Sequence, residues 1–355
     1  MASLLTEAKA IFWSEWFWFP GNVTWSDLEN KEGGIYHPQV SDLLIPFPLA
    51  VLIYVIRQCV ERYIFRPMGI YYGLKDSKAR VATSNTVLEK AYKKAGKKDP
   101  SKDVVMGLIK QVDMTEKQIG NWFRMRRNQD RPTTLVKFTE SGWRFVMYFC
   151  LFNYGLLVLF DKDYFWNGDY CWLGYPHQHV SDGVFWYYML ELGCYWSLLF
   201  SQFLDVQRKD FYEMFIHHIA TLTLMLFSWS GNFVRIGSLV LVVHDAADWW
   251  MESAKMAKYL NFSFLCNVLF GMFLVVWFVS RLVIFPYKII RPTHFSVQRI
   301  LGTLVSVQYF LNILLIVLFI LHIYWFVLIL RVAKMAMMSR GKVRPVTFEI
   351  YKFEN

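Results

Sequence analysis

Two long apolar stretches of the sequence contain ionisable residues that a lipid bilayer would exclude. The first holds the adjacent pair His217 and His218, and the second holds His244, Asp245 and Asp248. An ionisable residue costs about 2.5 to 3.5 kcal/mol at the centre of a membrane helix, so this many indicate a polar interior that has a function. Imidazole exchanges protons near neutral pH, so a histidine pair in such an interior suits general acid–base or nucleophilic catalysis.

The spacing of these residues predicts how they face the interior. Helical neighbours at i+3 and i+4 share a face, which places His244 over Asp248 and Asp245 near Asp248. His217 and His218 are adjacent and point about 100° apart, so we expect their roles to differ. Either carboxylate can fix a histidine tautomer or attract a cationic amine, and the sequence does not divide these tasks between them.

Other interpretations of these polar residues are open. The two adjacent histidines could form a hydrogen-bonded pair between helices or bind a metal ion. The chain has eight histidines and lacks the several histidine-rich boxes of membrane di-iron hydroxylases, so we predict no metal and no cofactor. Glu252 and Lys255 are spaced for an intrahelical ion pair. Asn232 and Arg235, which follow the first stretch, suit either a helix end or a substrate contact at a cavity mouth.

The elements that must hold these residues are membrane helices. Hydrophobic residues make up 55% of the 355, and charged residues make up 19%, against about 25% in soluble domains. Seven apolar runs have about the 20 residues that a helix needs to cross the hydrocarbon of a membrane. They are 43–63, 143–160, 184–204, 211–230, 238–260, 262–285 and 304–330. The predicted fold is therefore all-α, a polytopic membrane protein with about seven helices in a bundle around a deep cavity.

One soluble module interrupts these spans. Residues 66–141 hold 17 Lys and Arg against 8 Asp and Glu, and so supply +9 of the formal net charge of +10. Apolar periodicity predicts short helices at 85–94, 104–110 and 116–128. Thr115 and Gln118 match a capping box at the start of the last one.

Charge also predicts the orientation of the chain. The basic module is placed in the cytosol, and seven spans then leave the N-terminus in the lumen and the C-terminus in the cytosol. Asn22 begins an Asn-Val-Thr glycosylation acceptor on the predicted luminal side, whereas basic residues after Arg281 disagree with this orientation. The aromatic run 11–20 is too short to cross and is predicted to lie at headgroup depth.

We divide the chain into a luminal segment (1–42), a first transmembrane helix (43–63), a cytosolic module (66–135), a transmembrane catalytic domain (138–335) and a cytosolic tail (336–355).

From residue 210 to residue 259 the sequence reads DFYEMFIHHIATLTLMLFSWSGNFVRIGSLVLVVHDAADWWMESAKMAKY. This segment closely resembles the longevity-assurance motif of ceramide synthases within the TLC-domain superfamily. Further positions similar to that family are WSDLE at 25–29, YWSL at 195–198 and RKDF at 208–211. The similarity extends from Trp13 to about Val343.

The resemblance implies an enzyme of the endoplasmic reticulum membrane that joins a fatty acyl group from acyl-CoA to a sphingoid base. It implies that His217, His218, Asp245 and Asp248 are needed for acyl transfer. The route is left open between an acyl-histidine, which we place on His217, and direct attack by the amine with His217 as general base. His244 is assigned to substrate binding. Arg208 and Lys209 would meet the CoA phosphates at the cytosolic mouth. Membrane lipid is a further partner, and a homodimer or a heterodimer with related synthases is left open.

The basic module resembles the truncated homeobox-like domain of animal ceramide synthases, through Trp122 and Phe123 followed by Arg126 and Arg127. An asparagine that reads adenine in homeodomains is replaced here by Met125, so no sequence-specific DNA binding is expected. Two rivals remain at this point. One is a non-catalytic TLC-domain protein that senses lipid or accompanies a translocon, and the other is a membrane-tethered DNA-binding regulator.

Overall fold

The computed structural model describes residues 6–7, 10–21, 23–30, 34–76, 81–95, 100–205, 211–302 and 305–338. Helices dominate these ranges, and no β-strand occurs within them. We number the ten helices of ten or more α-helical residues. They are α1 Pro46–Val60, α2 Thr86–Ala95, α3 Lys102–Val112, α4 Glu116–Asp130, α5 Thr134–Leu159, α6 Asp182–Ser201, α7 Phe211–Ser230, α8 Val234–Tyr259, α9 Ser263–Trp277 and α10 Ser306–Met338. The all-α prediction is confirmed.

Helices occur wherever the sequence predicted a span. Over the described residues, four helical stretches are long and apolar enough to cross a membrane, namely Val40–Tyr71, Glu116–Leu159, Ser263–Leu301 and Ser306–Met338. The first continues α1 through the wider turns of Glu61–Phe65, and the third continues α9 through Phe278–Ile290. The other three predicted spans are α6, α7 and α8, which carry the buried polar residues. The count of seven crossings stays a prediction.

The bundle has two ends that organise the site. The loop end is formed by residues 161–181, where Arg235 at the start of α8 donates to the Tyr170 carbonyl at 2.9 Å. The module end lies opposite, where Arg57 of α1 and Arg144 of α5 donate to the Asp205 carboxylate just after α6, and where the chain leads to the basic module. Helix α7 therefore runs from the module end to the loop end, and α8 returns.

Close approach between α6, α7 and α8 depends on a glycine. A Cβ at Gly237 would lie 2.5 Å from Ser228 Oγ and 2.8 Å from Tyr188 Oη. Real Cβ atoms do not come so near, so a larger residue would require the Ser228 and Tyr188 side chains to move. Trp229 is fully buried beside Tyr188, with ring centroids 5.2 Å apart. This packing fixes the register of the helices that carry the histidines.

The prediction for the aromatic run 11–20 is wrong in part. Trp18 is 1% exposed and packs inside the bundle, with ring centroids 5.2 Å from Phe227 and 5.9 Å from Trp25. Trp13 and Trp16 are exposed, as a headgroup position requires. An aromatic residue of this kind suits either a membrane interface or a core, and the packing partners that decide between them lie far along the chain.

The basic module is a three-helix unit around Trp122 and Phe123 of α4, both of which are buried. The predicted capping box is confirmed, because Thr115 and Gln118 hydrogen-bond reciprocally at the start of α4. Arg126 donates to both carboxylate oxygens of Glu89 on α2, at 2.8 and 2.9 Å. These bonds hold the pKa of Glu89 below its usual value. Arg126 therefore joins two helices of the module.

Candidate active site

The histidine pair lies near the module end of α7, one to two turns from its start. His217 is 8% exposed and His218 is 7% exposed, and their ring centroids are 5.8 Å apart. The His217 and Trp325 rings form an edge-to-face contact between α7 and α10, with centroids 5.4 Å apart. The His218 ring instead faces Tyr195 on α6. The two imidazoles therefore face different helices, as their adjacency in sequence predicted.

A second pair of histidines lies deeper in the bundle. His244 Nε2 is 2.9 Å from His322 Nε2 on α10, and both residues are buried. His244 Nδ1 is 2.6 Å from the Val240 carbonyl oxygen of the preceding helical turn. The ring of Phe285 lies against both imidazoles. His244 was predicted to bind substrate, and its two ring nitrogens already have partners in the protein.

Arg281 is the cation at the centre of the site. It donates to the Asp248 carboxylate at 2.6 Å and to the His244 carbonyl oxygen at 2.7 Å. Its guanidinium also lies 3.9 Å from the centroid of the Trp277 ring, a cation–π contact. Asp248 is thus engaged by an arginine. The carboxylate that was expected to orient a histidine or attract an amine is instead balanced by a buried positive charge.

Asp245, which the spacing placed near Asp248, also approaches a second helix. It is buried beside Glu191 of α6, and one oxygen of each carboxyl group has no hydrogen-bond partner in the described structure. Neither Asp245 nor Asp248 is hydrogen-bonded to His217 or His218 across the described residues. Their predicted role in catalysis stays a prediction, but direct orientation of the histidine pair is not what these contacts provide.

The remaining predicted polar residues fall into two groups. Lys255 donates to Glu252 at 2.7 Å, so the intrahelical ion pair is confirmed. Asn232 donates to the carbonyl oxygens of Pro176 and Gln178, and Arg235 also binds the loop end. These two residues hold the connecting loop, and substrate binding by them stays a prediction. Three further predicted positions, Arg208, Lys209 and Asn22, lie outside the described residues.

An apolar pocket begins one helical turn from the histidines and extends towards the loop end. Thr221, one turn after His217, and Val240, one turn before His244, both line it. Its walls are otherwise largely apolar and come from α7, α8 and α10, including Leu224, Leu241 and Leu315. The pocket lies within the predicted bundle, and its walls suit a hydrocarbon chain, whereas the deep cavity around the polar residues stays a prediction.

Four residues of the site were missed as candidates in the sequence. Glu191, Arg281 and His322 are ionisable residues within or beside apolar runs, so the membrane-cost argument applied to α7 and α8 would have identified them. Gln202 Oε1 lies 2.9 Å from His218 Nδ1. No spacing rule connects Gln202 to a histidine 16 positions away, because the contact depends on how α6 and α7 pack.

The helical bundle with a buried histidine and carboxylate site defines a polytopic membrane protein of the TLC-domain class. The family model described as TLC domain matches residues 137–331, and the model described as Homeodomain matches residues 79–132. Human ceramide synthase 5 is 44% identical over 331 residues, which cover 93% of this chain and 84% of that protein. The chain belongs to the ceramide synthase family.

More distant relatives support the same assignment. Human ceramide synthase 3 is 43% identical over 282 residues, covering 79% of this chain and 73% of the relative. Ceramide synthase hyl-1 of Caenorhabditis elegans is 32% identical over 281 residues, covering 79% and 65%. A ceramide is a sphingoid base whose amine carries a fatty acyl group. An enzyme of this family therefore forms an amide bond.

Proposed function

We propose that this chain transfers a fatty acyl group from acyl-CoA to the amine of a sphingoid base, with His217 as nucleophile and His218 as general base. The observation that supports this most directly is a pair of buried histidines one helical turn from an apolar pocket in the same bundle. The two imidazoles face different helices, so one can hold the acyl carbon while the other manages a proton.

The apolar pocket supports one direction of acyl-CoA binding. Thr221 lies one turn after His217 and Val240 one turn before His244, and the apolar wall continues from these two residues towards the loop end. An acyl chain lying there would leave its thioester beside His217 and its CoA moiety at the module end. Arg208 and Lys209, which belong to the segment between α6 and α7, are the cations that we propose for the CoA phosphates.

The proposed reaction has two steps. A ring nitrogen of neutral His217 attacks the thioester carbonyl, a carbon–nitrogen bond forms, and the carbon–sulfur bond breaks; the proton lost from the His217 ring goes to sulfur, so CoA leaves as the thiol. The neutral sphingoid amine then attacks the acyl carbon, the amide bond forms, and the bond to His217 breaks. His218 takes the proton from the attacking amine and passes it to the departing His217 nitrogen, so both imidazoles return to their starting states. The acyl group provides the activation, so the route needs no separate cofactor.

The buried ions around the histidines would set the electrostatics of this reaction. Arg281 places a fixed positive charge near His244 and Asp248, where it can stabilise the negative charge that develops on the carbonyl oxygen. Asp245 with Glu191 forms the acidic side of the site, which we propose attracts the cationic amine before it is deprotonated.

We further propose that the chain resides in the endoplasmic reticulum membrane with its N-terminus in the lumen and its C-terminus in the cytosol. The basic module supports this orientation, since positively charged segments are retained on the cytosolic side. The module end would then face cytosolic acyl-CoA, and Asn22 would lie in the lumen.

Purified protein given acyl-CoA and sphinganine tests the proposal. We expect ceramide formation by the wild type and a loss of most turnover in His217→Ala and in His218→Ala, with both variants still folded by size-exclusion chromatography. His294→Ala is the matched control, because His294 is exposed and lies outside the bundle core. Near-normal turnover in either variant of the histidine pair would overturn its assigned role.

A further inference from the structure

Gln202 forms the first turn after α6 and joins the two helices that enclose His218. Its side-chain Nε2 donates to the Phe211 carbonyl oxygen at 2.9 Å, at the start of α7. Its Oε1 lies 2.9 Å from His218 Nδ1. The side-chain amide of Gln202 therefore links the carboxyl end of α6 to the main chain of α7 and to the His218 side chain.

These two contacts determine which nitrogen of His218 carries its proton. A carbonyl oxygen can only accept, so the bond to Phe211 requires the NH₂ group of Gln202 on that side. Oε1 must then face His218, and because Oε1 also only accepts, His218 Nδ1 must be the donor. In the neutral imidazole, Nε2 consequently keeps the free lone pair.

We propose that Gln202 is a positioning residue that holds His218 as the Nδ1–H tautomer, so that Nε2 is the base that takes the proton of the sphingoid amine. The proposal rests on the role assigned to His218 above. Gln202 does not touch the reacting atoms, and it acts by fixing the orientation and the tautomer of the imidazole. A neutral amide does this without adding a charge beside the amine.

The turn that carries Gln202 is itself anchored at the module end. Asp205, three residues further on, accepts from Arg57 of α1 at 2.6 Å and from Arg144 of α5 at 2.9 Å. All three side chains are at most 15% exposed. Because the two arginines come from different helices, they hold the turn against the bundle and keep the Gln202 amide within reach of α7.

The groups that face His218 are few in the described structure. Arg144 is the nearby cation from α5, Tyr195 approaches from α6 with ring centroids 6.3 Å apart, and His217 is its neighbour on α7. No carboxylate is hydrogen-bonded to it among the described residues. Gln202 is therefore the acceptor that defines the His218 tautomer.

Two substitutions at this position separate positioning from simple packing. Gln202→Leu removes the acceptor, and we expect kcat to fall by about 10- to 100-fold with little change in the KM for acyl-CoA. Gln202→Glu keeps an acceptor of the same length for His218 but loses the donor to the Phe211 carbonyl oxygen, so its kcat should lie between those of Gln202→Leu and the wild type. Its carboxylate would stabilise the imidazolium, which should move the acidic limb of the kcat/KM profile about 1 unit or more to higher pH.

Gln178→Leu is the matched control for loss of a buried glutamine. Gln178 donates to the carbonyl oxygens of Cys171 and Leu173 at the loop end, far from His218. We expect it to lower the unfolding temperature without moving the pH profile. A Gln202→Leu enzyme with wild-type kcat and pH profile would overturn the proposal, and so would a Gln202→Glu enzyme with an unshifted profile.

The outcome also distinguishes this inference from the proposed function. If His218→Ala remains active, the base itself has been assigned wrongly. If His218→Ala is inactive and the Gln202 variants keep the wild-type pH profile, only the role of Gln202 fails. Should Gln202→Leu not fold, the pH profile of Gln202→Glu alone decides the question.

Discussion

His322 Nε2 on α10 lies 2.9 Å from His244 Nε2 on α8, although the two residues are 78 positions apart in the sequence. The Val240 carbonyl oxygen accepts from His244 Nδ1, so in the neutral pair His244 Nε2 accepts and His322 Nε2 donates. This bond joins the last long helix to the helix that carries the carboxylates, and it makes His322 part of the site.

Substitution of His322 by alanine should destabilise the folded protein. It would leave His244 Nε2 buried without a partner and open a cavity beside Phe285, at a cost of about 1–3 kcal/mol for the unpaired group. The midpoint of thermal unfolding in detergent measures this loss. His294→Ala provides the comparison, since His294 is exposed. Equal midpoints for the two variants would show that the histidine pair does not stabilise the bundle.

Arg281 and Asp248 should be energetically coupled. Either residue alone would be a buried charge without its partner, whereas removal of both leaves no such charge. A double-mutant cycle with Arg281→Gln and Asp248→Asn should therefore give a coupling free energy of about 1–3 kcal/mol in unfolding experiments. The exposed pair Lys162 and Asp161 is the control, with about 0–1 kcal/mol expected. Additive effects at Arg281 and Asp248 would contradict this interpretation.

The stability of the basic module should depend on pH through the protonation of Glu89. Because Arg126 lowers the pKa of Glu89 in the folded module, the ion pair contributes stability above the ordinary pKa near 4.5, and this contribution is lost as the pH falls through the lower folded value. A purified 66–141 fragment can be followed by Trp122 fluorescence during heating. We expect Glu89→Gln to show a weaker fall in unfolding temperature below about pH 4.5 than the wild type. Parallel curves would exclude this role of Glu89.

The same fragment should bind DNA without reading its sequence. Met125 cannot make the bidentate contact with adenine that asparagine makes at this position of a homeodomain. Binding should be weak, sensitive to salt and similar for different oligonucleotides in a fluorescence-anisotropy titration. Met125→Asn is the informative comparison, because it restores the missing amide. Tight discrimination by the wild type at physiological salt would disprove the expectation.

The local features of this chain could be predicted from sequence, and the contacts across helices could not. The bounds of α7 at 211 and 230, the capping box at Thr115 and the pair of Glu252 with Lys255 all depend on residues within four positions of one another. Spacing also placed His244 above Asp248, but it could not show that Arg281 would neutralise Asp248. That ion pair depends on the packing of α8 against the segment after α9.

The partners of the histidines could not be predicted from the sequence either. The adjacency of His217 and His218 predicted that they face different ways, and the structure adds that one meets Trp325 and the other Gln202. These partners come from α10 and from the end of α6, at sequence separations that no local pattern covers. Trp18 was assigned to the membrane surface for the same reason, since its core partner Phe227 lies more than 200 positions away.

The central claim is that the acyl group passes through His217, and the intact mass of the protein tests it most directly. After incubation with acyl-CoA alone and rapid quenching, the wild type should gain one acyl mass, and later addition of sphinganine should remove it. His217→Ala should gain none. If the wild type shows no adduct at several acyl lengths, or if His217→Ala gains the same mass, the covalent route is contradicted and direct attack assisted by a histidine base takes its place.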